Sequence, residues 1–388
     1  MPEQMIYLDH AATTPVDPRV LAAMMPFFSE RFGNPSSIYG AGRAALHALD
    51  EARDRVAAIL GASPREIIFT GGGSESDNLA IRGVAMAQRQ AGRGAHLITS
   101  AIEHHAVLHT VEHLQALGFD MTVLPVDASG LVQPDDLRAA LRPDTVLVSI
   151  MYANNEIGTI QPVAELAAIC RERGVPFHTD AVQAPGALPL NVRALNVDLM
   201  TMSAHKFYGP KGVGALYIRH GTPLLPQISG GGQERRRRAG TENVPGIVGM
   251  AMALQLAEER RAQDSAHCAR LRDRLVEGVL ASVPGTRLNG HPARRLPNNA
   301  NLSFDGVEGE SVLLLLDQRG IAASSGSACT SGSLEPSHVL TALGLTSDEA
   351  LGAVRFTFGR DNTDADVTAV LDALPVIVEQ LRAMAVTA

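Results

Sequence analysis

The chain has 388 residues, with 33 basic and 41 acidic side chains and a formal charge of −8, a balance that disfavours nonspecific binding to nucleic acid. Its 45% hydrophobic content is ordinary for a globular protein with a sizeable core, and the length suits two domains or one large domain with a satellite. The longest markedly apolar run, Val312 to Leu316, is far too short to span a bilayer, the N-terminus lacks the regions of a signal peptide, and the three cysteines (Cys170, Cys268, Cys329) are widely separated, so we expect a reducing cytoplasm and neither membrane association nor a disulfide framework.

Short apolar strands alternate with longer amphipathic stretches through the first two-thirds of the chain. Strands are predicted at Ile67–Thr70, His96–Thr99, Met121–Leu124, Val146–Ile150, Pro176–Thr179, Leu199–Met202 and Val213–Ile218. Helical patterns at Arg43–Leu60, Glu75–Arg89 and Val163–Arg173 fall between them. This alternation predicts an α/β fold with a mainly parallel sheet, helices on both faces and ligand-binding residues where strands end. Near residue 250 the texture changes. Val248 to Val283 reads as one long helix, followed by Asn301–Phe304, a helix over Gly309–Arg319, Val354–Phe358 and a final helix from Asp364 to about Ala385. These later elements suit a smaller α+β unit. The expected division is residues 16–250 as the large domain, with 1–15 plus 251–388 as the small one.

Ser203-Ala-His-Lys206 follows one predicted strand, and its amine could form a Schiff base with a carbonyl cofactor. The alternative is a surface-loop lysine. Asp180 closes another strand, where a carboxylate could pair with a pyridinium nitrogen or simply cap a helix. Gln183 follows within reach of the same ring. Gly71-Gly72-Gly73-Ser74-Glu75-Ser76-Asp77 opens a helix, where backbone amides favour a phosphate. It lacks the Walker and dinucleotide spacings and also fits a tight strand–helix turn.

Glu103-His104-His105 offers an imidazole that could stack on a ring and move protons. His105, His109 and His113 share a helical face at metal-binding spacing, but no cysteine or clear carboxylate completes a site. The run Arg235 to Arg238 lacks interleaved aromatics, which argues against a nucleic-acid patch. Arg355 interrupts an apolar strand, so its charge needs a partner: a substrate carboxylate, or an internal Asp or Glu. Cys329 lies in Ser324-Ser325-Gly326-Ser327-Ala328-Cys329-Thr330-Ser331-Gly332-Ser333. Small turn-forming residues on both sides suggest a thiol presented on a movable loop rather than packed in a core.

In this order the motifs resemble those of the cysteine desulfurases, the NifS/IscS-like branch of class-V aminotransferase-related enzymes. The resemblance runs from Tyr7-Leu-Asp-His-Ala-Ala-Thr-Thr-Pro15 through Gly33-Asn-Pro-Ser-Ser37 and Asn154-Asn-Glu-Ile-Gly158 to Arg355-Phe-Thr-Phe-Gly-Arg360. The long cysteine segment followed by Leu334-Glu-Pro-Ser-His338 resembles the group with an extended loop, and Ala239-Gly-Thr-Glu-Asn243 leans toward the NifS subtype.

The resemblance implies the fold-type-I architecture of pyridoxal-phosphate enzymes, as a homodimer. It implies Lys206 as the covalent anchor of pyridoxal 5'-phosphate, His104 stacked on the ring, Asp180 at the ring nitrogen, and Asn155 and Gln183 at the ring oxygen. Gly73, Ser74, Ser203 and His205 would hold the phosphate, with Thr241 reaching it from the neighbouring subunit. Arg355, helped by Asn34 and Asn155, would take the carboxylate of L-cysteine. Cys329 would accept the substrate sulfur as a persulfide, with His104 helping to deprotonate it, and pass it to an acceptor such as an iron–sulfur scaffold protein. No resident metal is expected, Cys329 being at most a transient cluster ligand. Ser74 stands where many relatives have threonine, which keeps the hydroxyl. The chain ends soon after its last helix, whereas some relatives use a longer tail for scaffold binding. Alternatives to this reading are a selenocysteine lyase or another class-V enzyme and, from a different class, a non-catalytic sulfur- or metal-binding scaffold.

Overall fold

The computed structural model describes residues 5–325 and 335–387. The predicted placement of Cys329 on a loop therefore lies outside the described residues. In chain order the first elements are β1 (Ile6–Tyr7), α1 (Pro18–Met24), α2 (Pro26–Ser29), α3 (Gly40–Leu60), β2 (Ile67–Thr70), α4 (Gly73–Gln90), β3 (His96–Ser100), α5 (His105–Ala116) and β4 (Asp120–Leu124). Then come α6 (Pro134–Ala140), β5 (Thr145–Ser149), α7 (Val163–Glu172), β6 (Phe177–Asp180), β7 (Leu199–Ser203), β8 (Gly214–Ile218), the single turn α8 (Gln233–Arg236) and α9 (Val244–Ser282). The remainder is β9 (Thr286–Leu288), β10 (Asn299–Phe304), α10 (Gly309–Asp317), β11 (Ile321–Ala322), α11 (His338–Ala342), α12 (Ser347–Leu351), β12 (Ala353–Thr357) and α13 (Asp364–Thr387).

Seven strands form the main sheet in the order β2-β8-β7-β6-β5-β3-β4. Neighbours from β7 to β4 are parallel, and β8 runs antiparallel to both β2 and β7. Strands β5, β6 and β7 are buried along their whole length, as expected of parallel strands covered on both faces. One core joins this sheet to α3, α7 and the first part of α9, including Val56, Val148, Phe177, Met200 and Leu254. A second fills the opposite face with α4 and α5, including Ile81, Val84 and Val111.

The chain from α9 onward builds a third core around the antiparallel sheet β12-β10-β9. Helix α9 serves two cores, burying Ile247 to Leu256 in one and Leu271 to Val279 in the other. It starts at Val244, earlier than the expected Val248, because Asn243 caps the Gly246 N–H and Pro245 fits the first turn. The N-terminal segment returns to the small sheet, where Thr357 N donates to Leu8 O at 2.7 Å. This return carries Asp9 to β12 and Ala11 and Ala12 to the ends of the main-sheet strands. Among the described residues, no helix is long and apolar enough to cross a membrane.

Candidate active site

The carboxyl ends of β3, β5, β6 and β7 open onto one cavity of about 320 Å³, within the usual range for small-molecule sites. Ten of the residues singled out from sequence line it: Gly73, Ser74, His104, Asn155, Asp180, Gln183, Ser203, His205, Lys206 and Arg355. They come from segments spread over almost the whole chain.

Lys206 ends a short 3-10 turn, Ala204–Lys206, directly after β7. Its Nζ donates to Ala11 O at 2.6 Å and Ala12 O at 2.8 Å, so the amine is held on the cavity wall and the surface-loop reading does not apply. The chain contains only two lysines, Lys206 and Lys211, against 31 arginines. That scarcity is a sequence signal the motif reading missed, since a chain using arginine for its other cations leaves few amines for carbonyl chemistry.

Asp180 closes β6 and is buried, with Oδ1 accepting from Val182 N at 2.9 Å. No helix begins there, so it is not a helix cap. Burial pushes its carboxyl up, opposed by that hydrogen bond and by Lys206. Gln183 lies beside it, donating from Nε2 to Ala11 O at 3.1 Å. Against Val182 and Ser203, α4 starts after Gly72, which supplies no capping side chain, so its first amides remain available to an anion. A Cβ on Gly73 would stand 2.9 Å from Val182 Cγ2 and 3.4 Å from Ser203 Cβ. Glycine there lets the helix N-terminus close onto Ser203. His205 borders the same corner, its Nδ1 3.1 Å from Thr13 Oγ1, and burial with Lys206 and Lys211 lowers its pKa to about 4.

His104 caps α5, its Nδ1 accepting from Ala106 N at 3.1 Å. Burial, then Lys206 and neighbouring imidazoles, lower its pKa to about 4. With Nδ1 accepting from Ala106 N, the neutral ring carries its proton on Nε2. The histidine face divides. His105 packs 4.9 Å from His109 and 4.8 Å from His338, ring centre to ring centre, while His113 turns to Arg82. No group of metal-ligating side chains is assembled among the described residues.

Arg355 on β12 is 1% exposed, with Nη2 2.6 Å from Asp9 Oδ1 and Nη1 donating to Asn155 O at 2.9 Å. The internal carboxylate thus exists, and it holds the guanidinium at the cavity edge. Asn34 and Thr241 are exposed and do not line the cavity of this chain. Cys170 and Cys268 are buried, and burial pushes the Cys268 thiol up to about 12 and Cys170 further.

Three buried carboxyls in the wall were not assigned roles from sequence. Asp77 lies 3.6 Å from His178 Nε2, and burial together with Asp180 raises its pKa well above the ordinary value. Glu103 accepts from Ser100 Oγ at 2.5 Å and Met151 N at 3.0 Å, and burial lifts it to about 8. Glu156 accepts from Ser337 Oγ at 2.6 Å. All three sit inside motifs quoted above, but their burial depends on packing between distant segments.

Residues 6–370 match the class-V aminotransferase family. The chain belongs to that family. It is 55% identical over 379 residues to the cysteine desulfurase IscS of Methanosarcina thermophila, covering 98% of this chain and 93% of that protein. Among solved structures, a NifS-like protein superposes with a TM-score of 0.91 at 41% identity, covering 97% of this chain and all 100% of that one. SspA in complex with cysteine superposes with a TM-score of 0.82 at 39% identity, covering 92% of this chain and 100% of that one. The α/β architecture expected from the strand–helix alternation is the one the family members share.

Proposed function

We propose that the protein is a cysteine desulfurase that uses pyridoxal 5'-phosphate anchored on Lys206, converts L-cysteine to L-alanine and carries the sulfur away on Cys329. The observation that carries this reading is the placement of Lys206, one of two lysines in the chain, between Asp180, His104 and Arg355 in one cavity. Similarity over nearly the full chain to proteins named cysteine desulfurase supports the substrate.

The donor set fits the cofactor. An amine, a buried carboxylate, a flat imidazole and an uncapped helix N-terminus closed onto Ser203 match a carbonyl, a ring nitrogen, a ring face and a phosphate. Lys206, Asp180, His104, Gln183 and Asn155 would hold the ring, and Gly73, Ser74, Ser203 and His205 the phosphate, joined by Thr241 of a second copy. When bound, pyridoxal phosphate supplies a carbonyl for the substrate amine and an electron-withdrawing ring.

Arg355 and Asn155, which line the cavity, orient the substrate carboxylate, and Asn34 would have to move from its exposed position to join them. Asp9 keeps the guanidinium in place. Lys206 removes the proton from the substrate α-carbon, and Asp180 holds the proton of the ring nitrogen. His104 donates from Nε2. The Cys329 thiolate then attacks the substrate sulfur: an S–S bond forms and the C–S bond breaks. The bonding pair stays with the three-carbon fragment, which takes up one proton at its β-carbon, regains one at its α-carbon from Lys206 and leaves as alanine. The persulfide passes its outer sulfur to an acceptor such as an iron–sulfur scaffold protein.

The active form is a cytoplasmic homodimer of two-domain subunits, divided at residues 16–250 and 1–15 plus 251–388. The segment from α2 up to α3 supports the dimer, since Phe28, Phe32, Ile38 and Tyr39 are 58%, 73%, 90% and 60% exposed, an apolar concentration that a second copy would cover.

The test is to purify the protein, record its spectrum and supply L-cysteine with reductant. The expected result is a yellow protein that forms alanine and sulfide in equal amounts, with Cys329→Ala retaining the colour and losing the reaction. A colourless protein, or a Cys329→Ala variant of normal activity, would contradict the reading. A marked preference for selenocysteine would indicate a lyase instead.

A further inference from the structure

The run Arg235 to Arg238 has no part in the function described above, yet it is tied to the body of the protein. Its first two arginines lie in the turn α8, where Glu234, Arg235 and Arg236 have positive φ of 40°, 58° and 62°. That left-handed conformation is disfavoured for residues with a Cβ, and buried contacts hold it. Glu234 is buried and pairs with the buried Arg53 of α3 at 2.7 Å and 2.9 Å. Its Oε2 also accepts from Phe69 N at 2.9 Å on β2, the edge strand of the main sheet. Arg53 and Arg235 donate to Ile67 O of the same strand at 2.7 Å and 3.3 Å. The segment that follows the turn is therefore fixed against the sheet edge.

Two residues past the turn, Arg238 reaches α4. Its Nε donates to Glu75 Oε1 at 2.9 Å and its Nη2 to Oε2 at 3.4 Å. The same Oε2 accepts from Gly71 N at 2.7 Å. One carboxylate thus links Arg238 to the start of the Gly71-Gly72-Gly73 turn, which Thr70 also ties, its Oγ1 donating to Gly72 O at 3.1 Å. Glu75 lies in the first turn of α4, next to Gly73 and Ser74. Those two line the cavity and Glu75 does not. A carboxylate there suits the helix dipole, but its charge also opposes any other anion at the same helix end. Arg238 supplies the countercharge.

We propose that Arg238 is a positioning residue for the phosphate end of the cofactor site: it neutralises Glu75 and holds that carboxylate on Gly71 N, so that the start of α4 stays attractive to a phosphate. This rests on the cofactor reading above. The sign of the effect follows from the charges. Without Arg238, Glu75 is an uncompensated anion beside the phosphate and weakens its binding. Removing the Glu75 charge as well restores it. A contact that served packing alone would show no such recovery, and its loss would weaken the ring and the phosphate alike.

The full-length protein and its variants, freed of cofactor, are titrated with pyridoxal 5'-phosphate and with pyridoxal, which lacks the phosphate, and bound ligand is read from absorbance. Arg238→Ala should raise the Kd for pyridoxal 5'-phosphate about ten-fold and leave that for pyridoxal within about two-fold of wild type, the size of one uncompensated charge near the ligand. Glu75→Gln keeps an acceptor for Gly71 N and should bind pyridoxal 5'-phosphate at least as tightly as wild type. The double variant should return to within about two-fold of wild type, because the two changes are coupled. Raising salt should shrink the Arg238→Ala penalty, since the pair is partly exposed. Arg238→Lys keeps the charge and should stay within about three-fold of wild type; it serves if the alanine variant folds poorly. An unchanged Kd in Arg238→Ala, an equal loss for pyridoxal, or a double variant as weak as Arg238→Ala would overturn the proposal. Failure of the cofactor reading is separate, because the wild-type protein would then bind neither compound.

Discussion

The two sides of the cavity are built in different ways. The Lys206 side comes from the ends of adjacent parallel strands, with Glu103 and His104 after β3, Met151 and Ala153 after β5, Asp180 at the end of β6 and Ser203 to Lys206 from the end of β7. The Arg355 side comes from contacts across the chain, such as Arg355 with Asp9, 346 residues apart, and Glu156 with Ser337, 181 apart. Parallel strand ends assemble a site as a consequence of sheet topology. The other side depends on the N-terminal segment and the last third of the chain docking onto it.

The largest expected effect falls on the first side. Lys206→Ala should lose covalent cofactor attachment and lower kcat by on the order of 10³–10⁴. Borohydride reduction followed by peptide mapping should label Lys206 and leave Lys211 unlabelled. Labelling of Lys211 would break the comparison at its root. On the second side, Arg355→Gln should raise KM for cysteine by roughly 10–100-fold, the value of a charge-assisted contact, with the cofactor spectrum retained. Loss of the spectrum as well would mean that the two sides cannot be separated.

These sides also differ in how far sequence reveals them. The strands of the main sheet fall within a residue or two of their expected positions; the central ones are buried along their length, and Val146 to Val148 and Leu199 to Met200 read as short apolar runs, while the edge strand β4 is partly exposed. Lys206 and Asp180 are legible for the same reason, being polar residues directly after such runs. The Asp9 partner of Arg355 is not, since the interruption of β12 reveals a need for a countercharge but not its source. Strands β1 and β11, of two residues each, carry no periodic signal. Asp77 and Glu103 read as helix-start and loop acids, and only packing shows that they are buried. The His104 tautomer follows from its cap to Ala106 N, a backbone geometry that composition does not encode.

Two smaller effects sharpen the comparison through stability. Burial lifts Glu103 from an ordinary 4.5 to about 8. The folded state therefore binds a proton that the unfolded state releases, and stability falls as pH rises across that window. Glu103→Gln stays neutral and keeps an acceptor oxygen for Ser100 and Met151. Urea unfolding should show it gaining on wild type from pH 4.5 toward pH 8, by on the order of a few kcal/mol at the upper end. A constant difference across that range would mean that Glu103 is charged in the fold. The smallest effect is at α12, whose Thr346–Glu349 capping box is exposed. Thr346→Ala should cost about 1 kcal/mol and leave cysteine turnover unchanged, since no residue of that cap lines the cavity.

The most direct measurement is the site of the transferred sulfur. Holoprotein treated with L-cysteine without reductant, alkylated and digested, should show the mass of one added sulfur atom on the Cys329 peptide. Cys170 and Cys268 should stay unmodified, because burial holds both thiols protonated and the thiolate is the nucleophile. Added sulfur on either buried cysteine, or none on Cys329 while alanine is released, would contradict the account.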